Sequence, residues 1–121
     1  MPIYIFIFLF FTMANIGLPG TGSFIGEFLI LLGAYQLNTT ISFLSATGMV
    51  LGGCYSLWLF NRIAYGNLKS QYITNFVDLN EREFLVFLPL LLGTIIMGIY
   101  PDIFLNPMHM SVNVLLEQMN V

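Results

Sequence analysis

The stretch Leu18-Pro19-Gly20-Thr21-Gly22-Ser23 separates two apolar runs, Ile3 to Leu18 and Phe24 to Tyr35, and the second run carries Glu27 near its start. Pro and Gly interrupt the i→i−4 hydrogen-bond ladder of a helix. A helix needs about 20 residues, at roughly 1.5 Å each, to cross about 30 Å of hydrocarbon. The first run nearly meets that length and the second does not. The economical reading is therefore one long helix over 3–36, broken at Gly17–Gly22. Non-helical backbone at membrane depth persists only where protein or a wet cavity satisfies it. Broken helices of this kind recur at ion sites in transporters. The alternative is two separate helices joined by a turn at the membrane surface.

Composition makes the membrane assignment firm. The 121 residues are 58% hydrophobic and 7% charged, with a mean hydropathy of +0.88. A soluble domain carries roughly 25% charged residues and could not otherwise cover its surface. From Met1 to Asn61 the one carboxylate or basic group is Glu27, and most other charges lie between Arg62 and Glu83. Three cations against six acids exclude phosphate-backbone binding, so nucleic acid is not a partner. The lone Cys54 excludes a disulfide framework and an iron–sulfur ligand set, and one His argues against a metal site. The apolar N-terminus has no basic region or small-residue cleavage site and reads as structure.

Beyond the break, a helix is expected over 40–64, a loop over 66–82, a helix over 83–101 and a tail over 102–121, all in one membrane domain. Arg62, Lys69 and Arg82 flank or lie in that loop, and the positive-inside rule puts it on the cytoplasmic or matrix side, with the C-terminus opposite. Tyr55, Trp58 and Tyr65 fit an aromatic interface belt near Arg62. Asp78-Leu79-Asn80-Glu81 resembles a capping pattern for the last span. In the tail, Val112, Leu115, Leu116 and Met119 have the spacing of a short interfacial helix over Ser111–Met119. The expected fold is an all-α membrane protein of about three transmembrane helices, the first discontinuous, plus that helix.

Glu27 is the candidate functional residue. An ionised carboxylate at membrane depth costs several kcal/mol, so a lone acid there can load and release a proton, as a relay requires. The competing explanation is a structural acid that caps the second half-helix or pairs with a cation of another chain. Gly20-Thr21-Gly22-Ser23-Phe24-Ile25-Gly26 imitates a dinucleotide fingerprint. It has one residue too many before the last Gly and no βαβ unit around it, so the glycines are assigned to the break. Ser45, Gly48, Gly52 and Ser56 share one helix face and predict close helix packing. Asn38-Thr39-Thr40 is a weak glycosylation signal, His109 an interfacial polar residue, and Pro89 and Gly93 bend the last span.

The run Met13-Ala14-Asn15-Ile16-Gly17-Leu18-Pro19-Gly20-Thr21-Gly22-Ser23-Phe24-Ile25-Gly26-Glu27-Phe28 closely resembles the signature of the antiporter-like membrane subunits of respiratory complex I. Tyr55 to Arg62, Tyr65 to Lys69, Asp78 to Glu83 and Met97 to Pro101 extend the resemblance along essentially the whole chain. Glu27 separates the sequence from the chain 2 and chain 5 types, which tend to carry Lys there. The resemblance implies a subunit of fourteen spans with two broken helices, of which this chain matches the last three. It implies proton translocation coupled to NADH:ubiquinone reduction, with Glu27 as the terminal proton-relay acid of a hydrophilic axis. It also implies a mitochondrial inner-membrane location, with the 66–82 loop in the matrix and the C-terminus in the intermembrane space. No flavin, iron–sulfur cluster or nicotinamide is expected in this chain. The expected partners are a chain carrying the N-terminal part of the same subunit, other membrane-arm subunits and lipids. The alternative function is a non-catalytic assembly subunit of a respiratory complex.

Overall fold

A computed structural model describes residues 1–120; Val121, the last residue of the tail, lies outside the described residues. The fold is all-α: α1 (Pro2–Ile16), α2 (Gly22–Leu37), α3 (Thr39–Ala64), α4 (Glu81–Ile99) and α5 (Asp102–Met119). The 26 residues of α3 and 19 of α4 are long and apolar enough to cross a membrane. At 1.5 Å per residue they measure about 39 and 28 Å, whereas α1 and α2 reach only about 22 and 24 Å. Neither half of the broken helix can span alone.

The break falls at Gly17–Thr21, where the sequence places it. Gly17 adopts a left-handed conformation (φ 91°, ψ 42°) as the C-cap of α1. Its N–H donates to the Ala14 carbonyl and the Leu18 N–H to that of Met13, the paired bonds of a Schellman stop. The Thr21 N–H and hydroxyl both donate to the Leu18 carbonyl, and the Phe24 N–H donates to that of Thr21. Most of the turn's polar backbone is thus satisfied within itself, as a water-poor setting demands. The other side of the turn is closed by α4. The Gly98 Cα faces the Gly20 carbonyl and the Thr21 N so closely that a Cβ there would overlap backbone atoms.

Three passes result. α3 returns alongside both halves of the broken helix, with Phe8 stacked on Phe60 (5.8 Å between centroids), Ile16 against Gly53, and the Ser42 hydroxyl donating to the Leu31 carbonyl at 3.3 Å. α4 then runs in the same direction as α1, with Phe11 and Phe87 6.3 Å apart and Met97 against Gly22. The α2–α3 junction is a single residue, Asn38, which caps α3 by accepting the Thr40 N–H at 2.9 Å. At the opposite end Asn80 and Glu83 form a capping box that starts α4.

The interior is thin. Among the described residues, Ile7, Ala14 and Phe60 alone are buried apolar residues, whereas Thr12, Thr21, Ser42 and Ser56 are buried polar ones. Large apolar side chains point outward along every helix. The hydroxyls of Thr12, Ser45, Thr47, Ser56 and Thr94 all donate to a carbonyl three or four residues back in their own helix. That habit frees a hydroxyl from the need for water. Arg62, in the last turn of α3, lies over the Trp58 ring at 4.0 Å, a cation–π contact suited to a membrane boundary.

The C-terminal helix is longer than the Ser111–Met119 spacing indicates. It begins at Asp102, directly after Pro101, and runs through Pro107. Phe104 and Leu105 line a small cavity with Ile25, Gly26 and Leu29 of α2. Asp102, Asn106, His109, Asn113 and Glu117 recur at three- and four-residue steps, which gives this helix one polar stripe.

Candidate functional site

Glu27 lies in the second turn of α2, and its side chain reaches back toward the break. The Cα–Cβ bonds of a helix tilt toward its N-terminus, so this direction is built into the position. The carboxyl rests on Gly17, where a Cβ would stand 3.2 Å from Cδ and would overlap Oε2. Glycine at 17 therefore does two things: it adopts the left-handed angle and it leaves the space in which the carboxyl sits. Its carboxyl thus lies over the C-cap of α1, because the side chain spans the break.

The Oε2 oxygen of Glu27 is buried, and no described residue hydrogen-bonds to it. Among the described residues it is the only buried side-chain polar atom left in that condition. A buried acceptor without a donor is costly unless a proton, a water or another chain satisfies it.

Glu27 opens onto a cleft of about 380 Å³ lined by Asn15, Ile16, Ser45, Gly48, Met49, Gly52 and Tyr55. Ser45, Gly48 and Gly52 are the small-residue face of α3, and here that face forms a wall of the acid's cleft. No heavy atom lies within 4 Å of a Cβ placed on Gly48. Asn15, from the last turn of α1, donates to the Tyr55 hydroxyl at 3.2 Å and to the Ser56 hydroxyl at 3.3 Å. Tyr55 thus departs from the interface belt expected for it. It lies seven residues before Arg62, roughly 10 Å deeper along the helix, and its hydroxyl is held beside the cleft. Sequence reasoning missed Asn15 as a site residue.

A second polar contact ties the ends of two helices. Asp78 accepts the Ile3 and Tyr4 N–H groups, both at 3.3 Å, and the Leu79 N–H at 2.8 Å. The loop before α4 therefore caps α1. Desolvation acts to raise the Asp78 carboxyl, but the bonds from Leu79, Ile3 and Tyr4 outweigh it and hold the group below its ordinary value of 3.8.

The family described as NADH:quinone oxidoreductase/Mrp antiporter, transmembrane, matches residues 1–53, which include the break, Glu27, Ser45, Gly48 and Gly52. NADH-ubiquinone oxidoreductase chain 4 of Marchantia polymorpha is 58% identical over 97% of this chain, and that of Triticum aestivum 56%. NADH-quinone oxidoreductase subunit M of Rhodobacter capsulatus is 45% identical over 85% of the chain and 20% of its own length. The chain spans about a quarter, 24%, of the length of the chain 4 relatives it matches. Along nearly its whole length, and with a broken helix that seats a lone acid, the chain is similar to about a quarter of NADH-ubiquinone oxidoreductase chain 4.

Proposed function

We propose that the chain forms the last spans of a proton-translocating membrane subunit of NADH:ubiquinone oxidoreductase, in which Glu27 takes up and releases a proton. The observation that carries this reading is the buried, unpartnered Oε2 of Glu27, seated on a helix break in a side chain that also lines a polar cleft. A carboxyl so placed alternates between a charged form that needs a donor and a neutral form that needs none. Redox chemistry belongs to other subunits, and this chain contributes a step of the proton path. Arg62, Lys69 and Arg82 support a matrix-side loop, which leaves the C-terminus on the intermembrane-space side of a mitochondrial inner membrane.

The cleft also argues for partners. Asn15, Ser45, Gly48 and Tyr55 are exposed along one side of the molecule, and acyl chains cannot satisfy polar groups there. Further helices of the same subunit, on whichever polypeptide carries them, cover this face.

Glu27→Gln in the assembled complex tests the reading. It keeps the shape of the side chain and removes the titratable proton. NADH-driven proton translocation should fall steeply, and coupled turnover with it, while native-gel mobility stays normal. Full pumping by an assembled Glu27→Gln complex would leave Glu27 a structural acid and favour an assembly role.

A further inference from the structure

The hydroxyl and amide hydrogens lining the Glu27 cleft can be assigned one by one. Both Asn15 amide hydrogens are engaged, one on Tyr55 and one on Ser56. The Ser56 hydroxyl donates to the Gly52 carbonyl at 2.8 Å, and the Ser45 hydroxyl donates to that of Ser42 at 2.8 Å. The Tyr55 hydroxyl accepts from Asn15 and donates to no described residue. One side-chain hydrogen is therefore free in a cleft where, among the described residues, the one buried side-chain acceptor without a donor is Oε2 of Glu27.

We infer that Tyr55 is the immediate proton neighbour of Glu27, connected to it by water held in the cleft, and that Asn15 is the residue that positions it. At roughly 30 Å³ per water, a cleft of this size holds several. The step balances as follows. A hydronium ion on the far side passes a proton to the Tyr55 oxygen and is left as water, as the phenol gives its own proton to the bridging water. That water in turn protonates the Glu27 carboxylate. The O–H bonds of the phenol and the bridging water are each broken and re-formed. The net change is one proton gained by Glu27, and rotation about the phenol C–O bond resets the chain. Asn15 holds one lone pair of the Tyr55 oxygen, which leaves the other for the incoming proton and keeps the O–H out of the Asn15 side of the cleft.

This inference rests on the proposed role of Glu27, and the experiment separates the two. Tyr55→Phe, Asn15→Ala and Glu27→Gln are compared in the assembled complex by proton translocation in water and in D₂O, and by the infrared C=O band of the protonated carboxyl. The Glu27 band is the one absent from Glu27→Gln. In Tyr55→Phe translocation should slow by about tenfold, the scale of one hydrogen bond to a charged group. The solvent isotope effect should change, and the Glu27 band should remain but shift. Asn15→Ala should move the band in the same direction and add nothing to Tyr55→Phe. It also carries the test if Tyr55→Phe does not assemble. An unmoved band and unchanged translocation in both variants, with Glu27→Gln inactive, overturns the role of Tyr55 alone. An active Glu27→Gln overturns the reading of Glu27 itself.

Discussion

Replacement of Gly17 by alanine isolates the seat of the Glu27 carboxyl from the strain of the turn. Gly17 and Gly20 have nearly the same left-handed angle, φ 91° and 97°. An L-residue at either position costs about 1–2 kcal/mol in backbone strain, so both alanine variants should lose similar stability. They differ in what the new methyl meets. At Gly20 no heavy atom lies within 4 Å, whereas at Gly17 the methyl overlaps Oε2 and stands 3.2 Å from Cδ of Glu27. Carbon atoms settle at about 3.5–4 Å, so the carboxyl must withdraw by up to about an ångström, which its side-chain torsions allow without unfolding. Misplacement of a reacting group on that scale can cost up to about a hundredfold in rate. Gly17→Ala should therefore lower NADH-driven proton translocation in membrane vesicles at least about tenfold more than Gly20→Ala. Matched assembly on native gels makes the two comparable. Equal translocation in the two variants refutes the seat.

Two further outcomes follow from the helix ends and the break. Gly98→Ala presses a methyl into the Gly20 and Thr21 backbone and should destabilise by about 1–3 kcal/mol, as overpacking does. Gly93→Ala in the same helix meets nothing within 4 Å and should stabilise by about 0.5–1 kcal/mol, so thermal melting of the two variants must move in opposite directions. Asp78→Ala should speed amide exchange at Ile3 and Tyr4 at neutral pH. Because its folded carboxyl is held below the unfolded value of about 3.9, Asp78 contributes stability above that pH and loses it as pH falls through the lower folded value. The wild-type protein should thus show the same loosening only in strong acid, and protection at Ile3 and Tyr4 that survives in Asp78→Ala refutes the cap.

The break was legible because its causes are local: Pro19 and three glycines within six residues cannot continue a helix. α3 and α4 were legible from the length of their apolar runs, and the start of α4 from Asp78-Leu79-Asn80-Glu81, although the capping box pairs Asn80 with Glu83 and Asp78 bonds to α1. What escaped depends on distance along the chain. Asp78 caps a helix 75 residues away, and no local pattern marks such a bond. Tyr55 looked like a belt residue because only its spacing from Arg62 was visible, whereas its hydroxyl is placed by Asn15 across the α1–α3 contact. The small-residue face was read as a packing surface for the same reason, since the acid it faces lies on a different helix. α5 was read short because Pro107 masks the start of a pattern that its first turn, set by Pro101 and Asp102, supports.

The thin interior has a consequence for how long the chain survives. It exposes 9765 Å², against about 6,600 Å² expected from size scaling for a compact monomer of its 13.7 kDa. The excess, about 3,000 Å², lies on faces that the chain's own helices leave uncovered. Lipid can take the apolar share of it, but the groove beside Glu27 offers acyl chains nothing to bond. If further helices cover that groove, as proposed, a copy without those neighbours presents membrane proteases with a polar seam in the hydrocarbon. Its abundance should follow the supply of those neighbours rather than its own rate of synthesis.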